Sequence, residues 1–126
     1  MRKNHNKFLL AIAMFFSVIL LSGCGTKLAA YNPHESVGKQ INYTITGIEA
    51  GAGIMSSTQN AMKAYGLNND KWQLQTSSTA AMTSTLGKSI KNHQPIVVTG
   101  WTPHWMFTKY NLKFLKDPKN VYGKAE

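Results

Sequence analysis

Between residues 41 and 48 apolar and polar side chains alternate: Ile41, Tyr43 and Ile45 fall on one face, Asn42, Thr44 and Thr46 on the other, and Ile48 closes the run. A period of two predicts a strand. Gly51-Ala52-Gly53 follows, after which Ile54, Thr58, Ala61, Met62 and Tyr65 recur at helical spacing until Gly66, a residue suited to a helix end. Residues 72–76 predict a second short strand. Ser77, Ser78 and Thr79 offer capping hydroxyls to a second helix with Met82, Leu86 and Ile90 inside, ended by His93 and Pro95. The β-branched run Ile96-Val97-Val98-Thr99 predicts a strand covered on both faces. Thr102 as N-cap and Pro103 at the first helical position predict a helix through Tyr110, and residues 112–115 a last strand. The order β-α-β-α-β-α-β predicts an α/β class with a mainly parallel sheet and flanking helices.

The amino-terminal pattern is different. Arg2, Lys3 and Lys7 precede a 14-residue run, residues 8–21, that is apolar apart from Ser17. A membrane-spanning helix needs about 20 apolar residues, so this run predicts a cleaved export signal instead. Leu21-Ser22-Gly23-Cys24 directly behind it matches a bacterial lipobox, in which the cysteine thiol receives a diacylglycerol. Cys24 is the only cysteine, so no disulfide can form within the chain. The expected organisation is a signal peptide over residues 1–23, a lipidated tether over 24–39, and one small α/β unit over 40–126. The address is the extracytoplasmic face of the cell membrane, with contact to the membrane through lipid on Cys24.

Charge narrows the partners. The chain carries +9, but three of its fourteen basic residues lie in the leader; the eleven lysines left, against five acidic residues, give +6. These lysines are scattered, without the arginine clusters or aromatic runs of a nucleic-acid site, so no nucleic acid is expected.

Ligands of open α/β sheets bind outside the carboxyl ends of the strands. After the first strand, Gly51 and Gly53 let the backbone approach a ligand, and the N–H groups of Gly53 and Ile54 at a helix start suit an anion such as a carboxylate. The same glycines serve a tight strand-to-helix turn equally well. A dinucleotide fingerprint fails, because Ser56 stands where a third glycine belongs. After the third strand, Trp101 and Trp105 offer aromatic faces of the kind that hold quaternary ammonium groups by cation–π attraction. Trp101, nearest the strand end, is the expected ligand contact; Trp105 and Trp72 are expected in the core, with His104 and Trp105 as neighbours of the site. His34, His93 and His104 share no metal-ligand spacing, and neither a metal nor another cofactor is expected. No nucleophile elbow or flanking carboxylate pair supports catalysis, so the expectation is not an enzyme.

Ile48 to Met55, Ala80-Ala81-Met82-Thr83 and the run from Pro95 to Phe107, with its Gly-Trp-Thr-Pro-His-Trp-Met-Phe core, together resemble the glycine betaine-binding lipoproteins of osmoprotectant ABC transporters. The resemblance extends over residues 39–126. It implies a two-lobed, clamp-like solute-binding fold and delivery of a captured compatible solute to a membrane permease. It also implies that the amides of Gly53 and Ile54 hold the betaine carboxylate, with Trp101 one wall of a tryptophan cage around the trimethylammonium. In that family the other cage tryptophans and a carboxylate-binding histidine come from a later lobe, so the expectation is an N-terminal portion carrying part of the site. A lipid-anchored interaction module that binds no solute, or a non-functional fragment, is the alternative.

Overall fold

The computed structural model describes residues 30–69 and 71–123. The leader, the lipobox and Cys24 lie outside the described residues. So do Asp70 and residues 124–126.

The first element is a helical turn, α1 (Val37–Gln40), N-capped by the Ser36 hydroxyl. It shortens the strand expected over residues 41–48. Asn42 N–H donates to Lys39 O and Tyr43 N–H to Gly38 O, with Asn42 and Tyr43 both at positive φ. This is a Schellman-type helix end, whose left-handed residue is here asparagine. The alternation of Ile41 with Tyr43 therefore belongs to a helix end, and only β1 (Thr44–Thr46) is extended.

α2 (Gly53–Ala64) follows the predicted spacing closely, burying Met55, Thr58, Ala61 and Met62. Gly66, at φ +68°, ends it: Gly66 N–H donates to Lys63 O and Leu67 N–H to Met62 O. β2 (Gln73–Gln75) pairs in parallel with β1 in the register Thr44–Gln73, Ile45–Leu74, Thr46–Gln75. α3 (Thr79–Lys91) starts at Ser78, whose hydroxyl accepts from Ala81 N–H at 3.1 Å. Met82 and Leu86 are buried as predicted, but Ile90 is 38% exposed. Each step of four residues turns a helix about 40° past a full circle, so Ile90 has drifted about 80° from Met82.

His93 ends α3 by geometry. At φ +54° it occupies the left-handed position, with its N–H on Ile90 O and Gln94 N–H on Ser89 O. An L-residue is strained there and glycine is not. His93→Gly is therefore expected to stabilise the chain by about 0.5–1 kcal/mol, visible as a higher melting temperature.

The run expected as the doubly covered strand is reduced to one parallel bridge, Thr46 with Val98. Ile96, Val97 and Val98 are only half-buried. The central strand is β1, because β2 flanks it on one side and Val98 on the other. α2 carries the chain outward from β1 to β2 and α3 carries it back past β1 to Val98; with right-handed crossovers, these opposite directions put α2 and α3 on opposite faces. Consistent with this, the adjacent residues Ile45 and Thr46, which point to opposite faces, are both buried. The parallel α/β class is borne out, with the sheet narrower than expected.

α4 (Met106–Lys109) is shorter than the helix expected from Thr102. Thr102-Pro103 is a cis peptide, and the ring nitrogen Nδ1 of His104 accepts from Met106 N–H at 3.2 Å, so His104 supplies the terminal acceptor expected from Thr102. Residues 112–115 form no strand. Leu112 N–H donates to Tyr110 O, bending the backbone; Leu112 packs on the core while Phe114 and Leu115 are 60% and 72% exposed.

The core is a cluster of Ile48, Met55, Met82, Leu86 and Met106, drawn from the β1–α2 loop, α2, α3 and α4. The following segment is fastened to α2. Asp117 accepts from Tyr65 Oη at 2.5 Å and from Tyr122 N–H at 2.9 Å, and Tyr122 Oη donates to Thr58 Oγ1 at 2.9 Å.

Candidate ligand-binding site

Because β1, β2 and Val98 run parallel, their carboxyl ends share one edge, and the loops that follow them meet there. Gly47, directly after β1, is close against its neighbours. A Cβ at this position would lie 2.6 Å from Met55 Sδ and 2.8 Å from the Gln75 carbonyl oxygen. Without one, Gly47 N–H reaches Gln75 O at 2.8 Å.

The turn beyond is tied to the neighbouring loop at each residue. Ser77 Oγ donates to Gly47 O at 2.5 Å and Ser77 N–H to Ile48 O at 3.0 Å. The Glu49 carboxylate accepts from Thr79 N–H at 2.9 Å and from Thr79 Oγ1 at 3.0 Å. The Thr79 N–H holds the Glu49 carboxyl below its ordinary value of 4.5. Glu49 O accepts from Ala52 N–H at 3.0 Å, and α2 begins at the next residue.

The N-cap of α2 is Ala52, which has no side-chain acceptor to offer. Met55 N–H bonds to Ala52 O, while the N–H groups of Gly53 and Ile54 have no hydrogen-bond acceptor among the described residues. A helix start normally satisfies these donors with a side chain, water or a ligand. Gly53 is exposed, and a Cβ built on Gly51 or Gly53 meets nothing within 4 Å, so open space lies over the turn. Two free amides at the positive end of a 12-residue helix can hold an anionic group.

Trp101 follows Val98 at the adjacent strand end. It is half-buried, and it packs against the same core cluster as Ile54. His104 meets it edge-on, the ring centroids 4.7 Å apart and the planes at 75°. The bond from Met106 N–H fixes the His104 ring. Gly53, Ile54, Trp101 and His104 are thus gathered at one end of the sheet.

Trp105 points elsewhere. It is 49% exposed, in contrast to the core position expected: it stands at the N-cap of α4, on the side facing α3. There it borders an open groove of about 410 Å³ with Ala80, Ser84, Lys88, Lys109 and Tyr110. Lys109 Nζ already stands 5.4 Å from the Trp105 ring centroid, so one cation occupies the surface a ligand ammonium would use. Trp72 is half-buried, edge-on to Tyr43 at 5.5 Å and against Gly38, at the amino end of β2 and so opposite the carboxyl ends of the strands.

Sequence reasoning missed Glu49. Its signal was available: a lone carboxylate just past a strand, with a hydroxyl-rich helix start at the end of the next one.

Residues 26–126 match the substrate-binding domain of the ABC-type glycine betaine transport system. The chain belongs to this family. The glycine betaine/carnitine transport binding protein GbuC of Listeria monocytogenes is 64% identical over 120 residues, 95% of this chain and 40% of the relative. The chain thus spans well under half the length of the curated relative it matches. Among solved structures, lactococcal OpuAC in its closed-liganded conformation with glycine betaine aligns with a TM-score of 0.60 at 45% identity. The alignment covers 75% of this chain and 38% of that one. The glycine/betaine/L-proline-binding protein ProX of Borrelia burgdorferi aligns with a TM-score of 0.66 at 39% identity, over 69% of this chain and 32% of that one. The resemblance carried by the Gly-Ala-Gly turn and the Gly-Trp-Thr-Pro-His-Trp run is borne out by the family match. This family is one of transport binding domains, and the parallel α/β architecture agrees with its solved members.

Proposed function

We propose that the chain captures glycine betaine, or a close quaternary-ammonium relative such as carnitine, outside the cytoplasmic membrane for uptake by an ABC permease. Tethering would be through lipid on Cys24. The observation that carries this reading is the pair of amides, Gly53 and Ile54, without an acceptor among the described residues at an uncapped helix start, with Ile54 and Trp101 packed on the same core cluster, in a chain of the glycine betaine family.

The two halves of the site suit the two ends of a small zwitterion. The helix start supplies hydrogen bonds and a partial positive charge to the carboxylate. A trimethylammonium cannot donate a conventional N–H hydrogen bond, so the negative face of an aromatic ring is its natural partner, and Trp101 offers one. Binding of this kind makes and breaks no bond, which agrees with a carrier that is not an enzyme.

Isothermal titration with glycine betaine tests the reading on two proteins: the chain itself, and the chain joined to the remaining region of the Listeria relative. The joined protein is expected to bind. If it does not, the substrate assignment is wrong. If only the shorter chain fails, the matched region supplies part of a site whose other contacts lie in that remaining region.

A further inference from the structure

We propose that Glu49 is a positioning residue for the ligand cradle: bonded to the first turn of α3, it holds the turn from which the Gly53 and Ile54 amides are presented. The proposal rests on the assignment of those amides to the ligand carboxylate.

Glu49 joins two helix starts. Its side chain accepts the Thr79 N–H and hydroxyl at 2.9 and 3.0 Å, one residue beyond the N-cap Ser78, while its carbonyl accepts Ala52 N–H at 3.0 Å. The α3 terminus therefore has two side-chain acceptors, Ser78 on Ala81 N–H and Glu49 on Thr79 N–H. The α2 terminus has none of its own. A helix start without a capping side chain frays unless the chain before it is held. Here the preceding residue Ile48 is bonded to Ser77, and Glu49 is bonded to Thr79, 30 residues away in sequence.

The same bonds manage the charge. A loose carboxylate four residues from Gly53 would oppose an incoming anionic group. Two hydrogen bonds and the positive end of α3 draw that charge to the neighbouring helix and leave the α2 amides to the ligand. The lowered Glu49 pKa agrees with a carboxylate ionised in place at neutral pH.

Amide hydrogen exchange, read residue by residue by NMR on the chain, separates this role from plain capping of α3. Glu49→Ala is expected to speed exchange at Ala52 by about tenfold while Leu86 stays protected, since local opening need not disturb the core. Glu49→Gln keeps one acceptor for Thr79 and is expected to restore most of the protection. Ser78→Ala strips the regular cap of α3 and is expected to speed Ala81 while sparing Ala52. An unchanged Ala52 in Glu49→Ala overturns the proposal, as does equal loosening of Ala52 by Ser78→Ala. Should Glu49→Ala also expose Leu86, Glu49→Gln decides: a partial rise at Ala52 alone supports the role, and none refutes it. Titration of the joined protein with glycine betaine, followed at the Gly53 and Ile54 amides, tests the cradle itself. Absence of a shift there counts against the amide assignment, while the Ala52 readout still judges the turn.

Discussion

Gly53→Pro is expected to weaken glycine betaine binding by the joined protein by about ten- to a hundredfold without lowering its melting temperature. Gly53 is the first residue of α2, where proline is well tolerated, because its fixed φ suits the helix and the missing N–H has no intrahelical partner. Ala52 before it has φ −71° and ψ 138°, the extended conformation that a following proline requires. Space is also available, since a Cβ at Gly53 meets nothing within 4 Å. The one thing the substitution removes is a hydrogen-bond donor. A bond to a charged group contributes about 1.5–3 kcal/mol, and each 1.4 kcal/mol is a factor of about ten in affinity. Gly53→Ala keeps the N–H and is expected to bind nearly as the parent does. Calorimetry beside a thermal melt checks both variants. Parental affinity in Gly53→Pro would refute the amide cradle.

The second large effect is on stability. Leu86→Ala is expected to cost about 2–5 kcal/mol, a large share of the roughly 5–15 kcal/mol that holds a domain folded. Leu86 is 1% exposed and belongs to the cluster that joins α3 to Ile48, Met55 and Met106. Truncation would leave a cavity where these elements meet. Ile90→Ala, one helical turn later and 38% exposed, is expected to cost under about 1 kcal/mol. Urea unfolding measures both, with the slope unchanged and the midpoint shifted for Leu86→Ala. Equal losses at the two positions would mean that the last turn of α3 is as buried as its centre.

The pH profile follows from three groups. Hydrogen bonds from Thr79 lower Glu49, and those from Tyr122 N–H and then Tyr65 lower Asp117. A carboxyl whose folded pKa is depressed stabilises the fold above its unfolded value, here 4.5 and 3.8, and that contribution is lost as pH falls further. Desolvation and then Asp117 raise the Tyr65 phenol, so its contribution is present below 10.0 and is lost as pH rises beyond. Thermal melts are expected to be level across neutral pH and to fall at both extremes. Asp117→Asn should flatten the acid side; an acid limb unchanged in that variant would show that Asp117 carries none of it.

The boundaries of α2 and the start of α3 were legible from local signals, whereas the Thr102-Pro103 start expected for α4 was not borne out. The spacing of Met55 to Met62, the Ser78 cap and the Gly66 end depend on residues within one or two turns, and the structure follows them. Strand positions were not. The β-branched run at residues 96–99 looks the most buried, yet the central strand is β1, with threonine on both sides of Ile45. Which strand lies in the middle is decided by chain crossover, and side-chain type carries no record of it. Trp101 and Trp105 illustrate the same limit within one motif. They are alike in composition and four residues apart, but one packs on the core cluster at the strand ends and the other borders the α3 groove.

By itself, then, the sequence determined the family, the parallel α/β class and the glycine turn and tryptophan loop that follow β1 and Val98, because a dense motif and short-range periodicity carry that information along the chain. Only the tertiary structure decided that the Gly53 and Ile54 amides have no capping partner among the described residues, and that Glu49 spends its carboxylate on the next helix. The physical reason is that a backbone donor is free or satisfied according to what the fold brings near it. For Glu49 that partner is Thr79, 30 residues further along the chain.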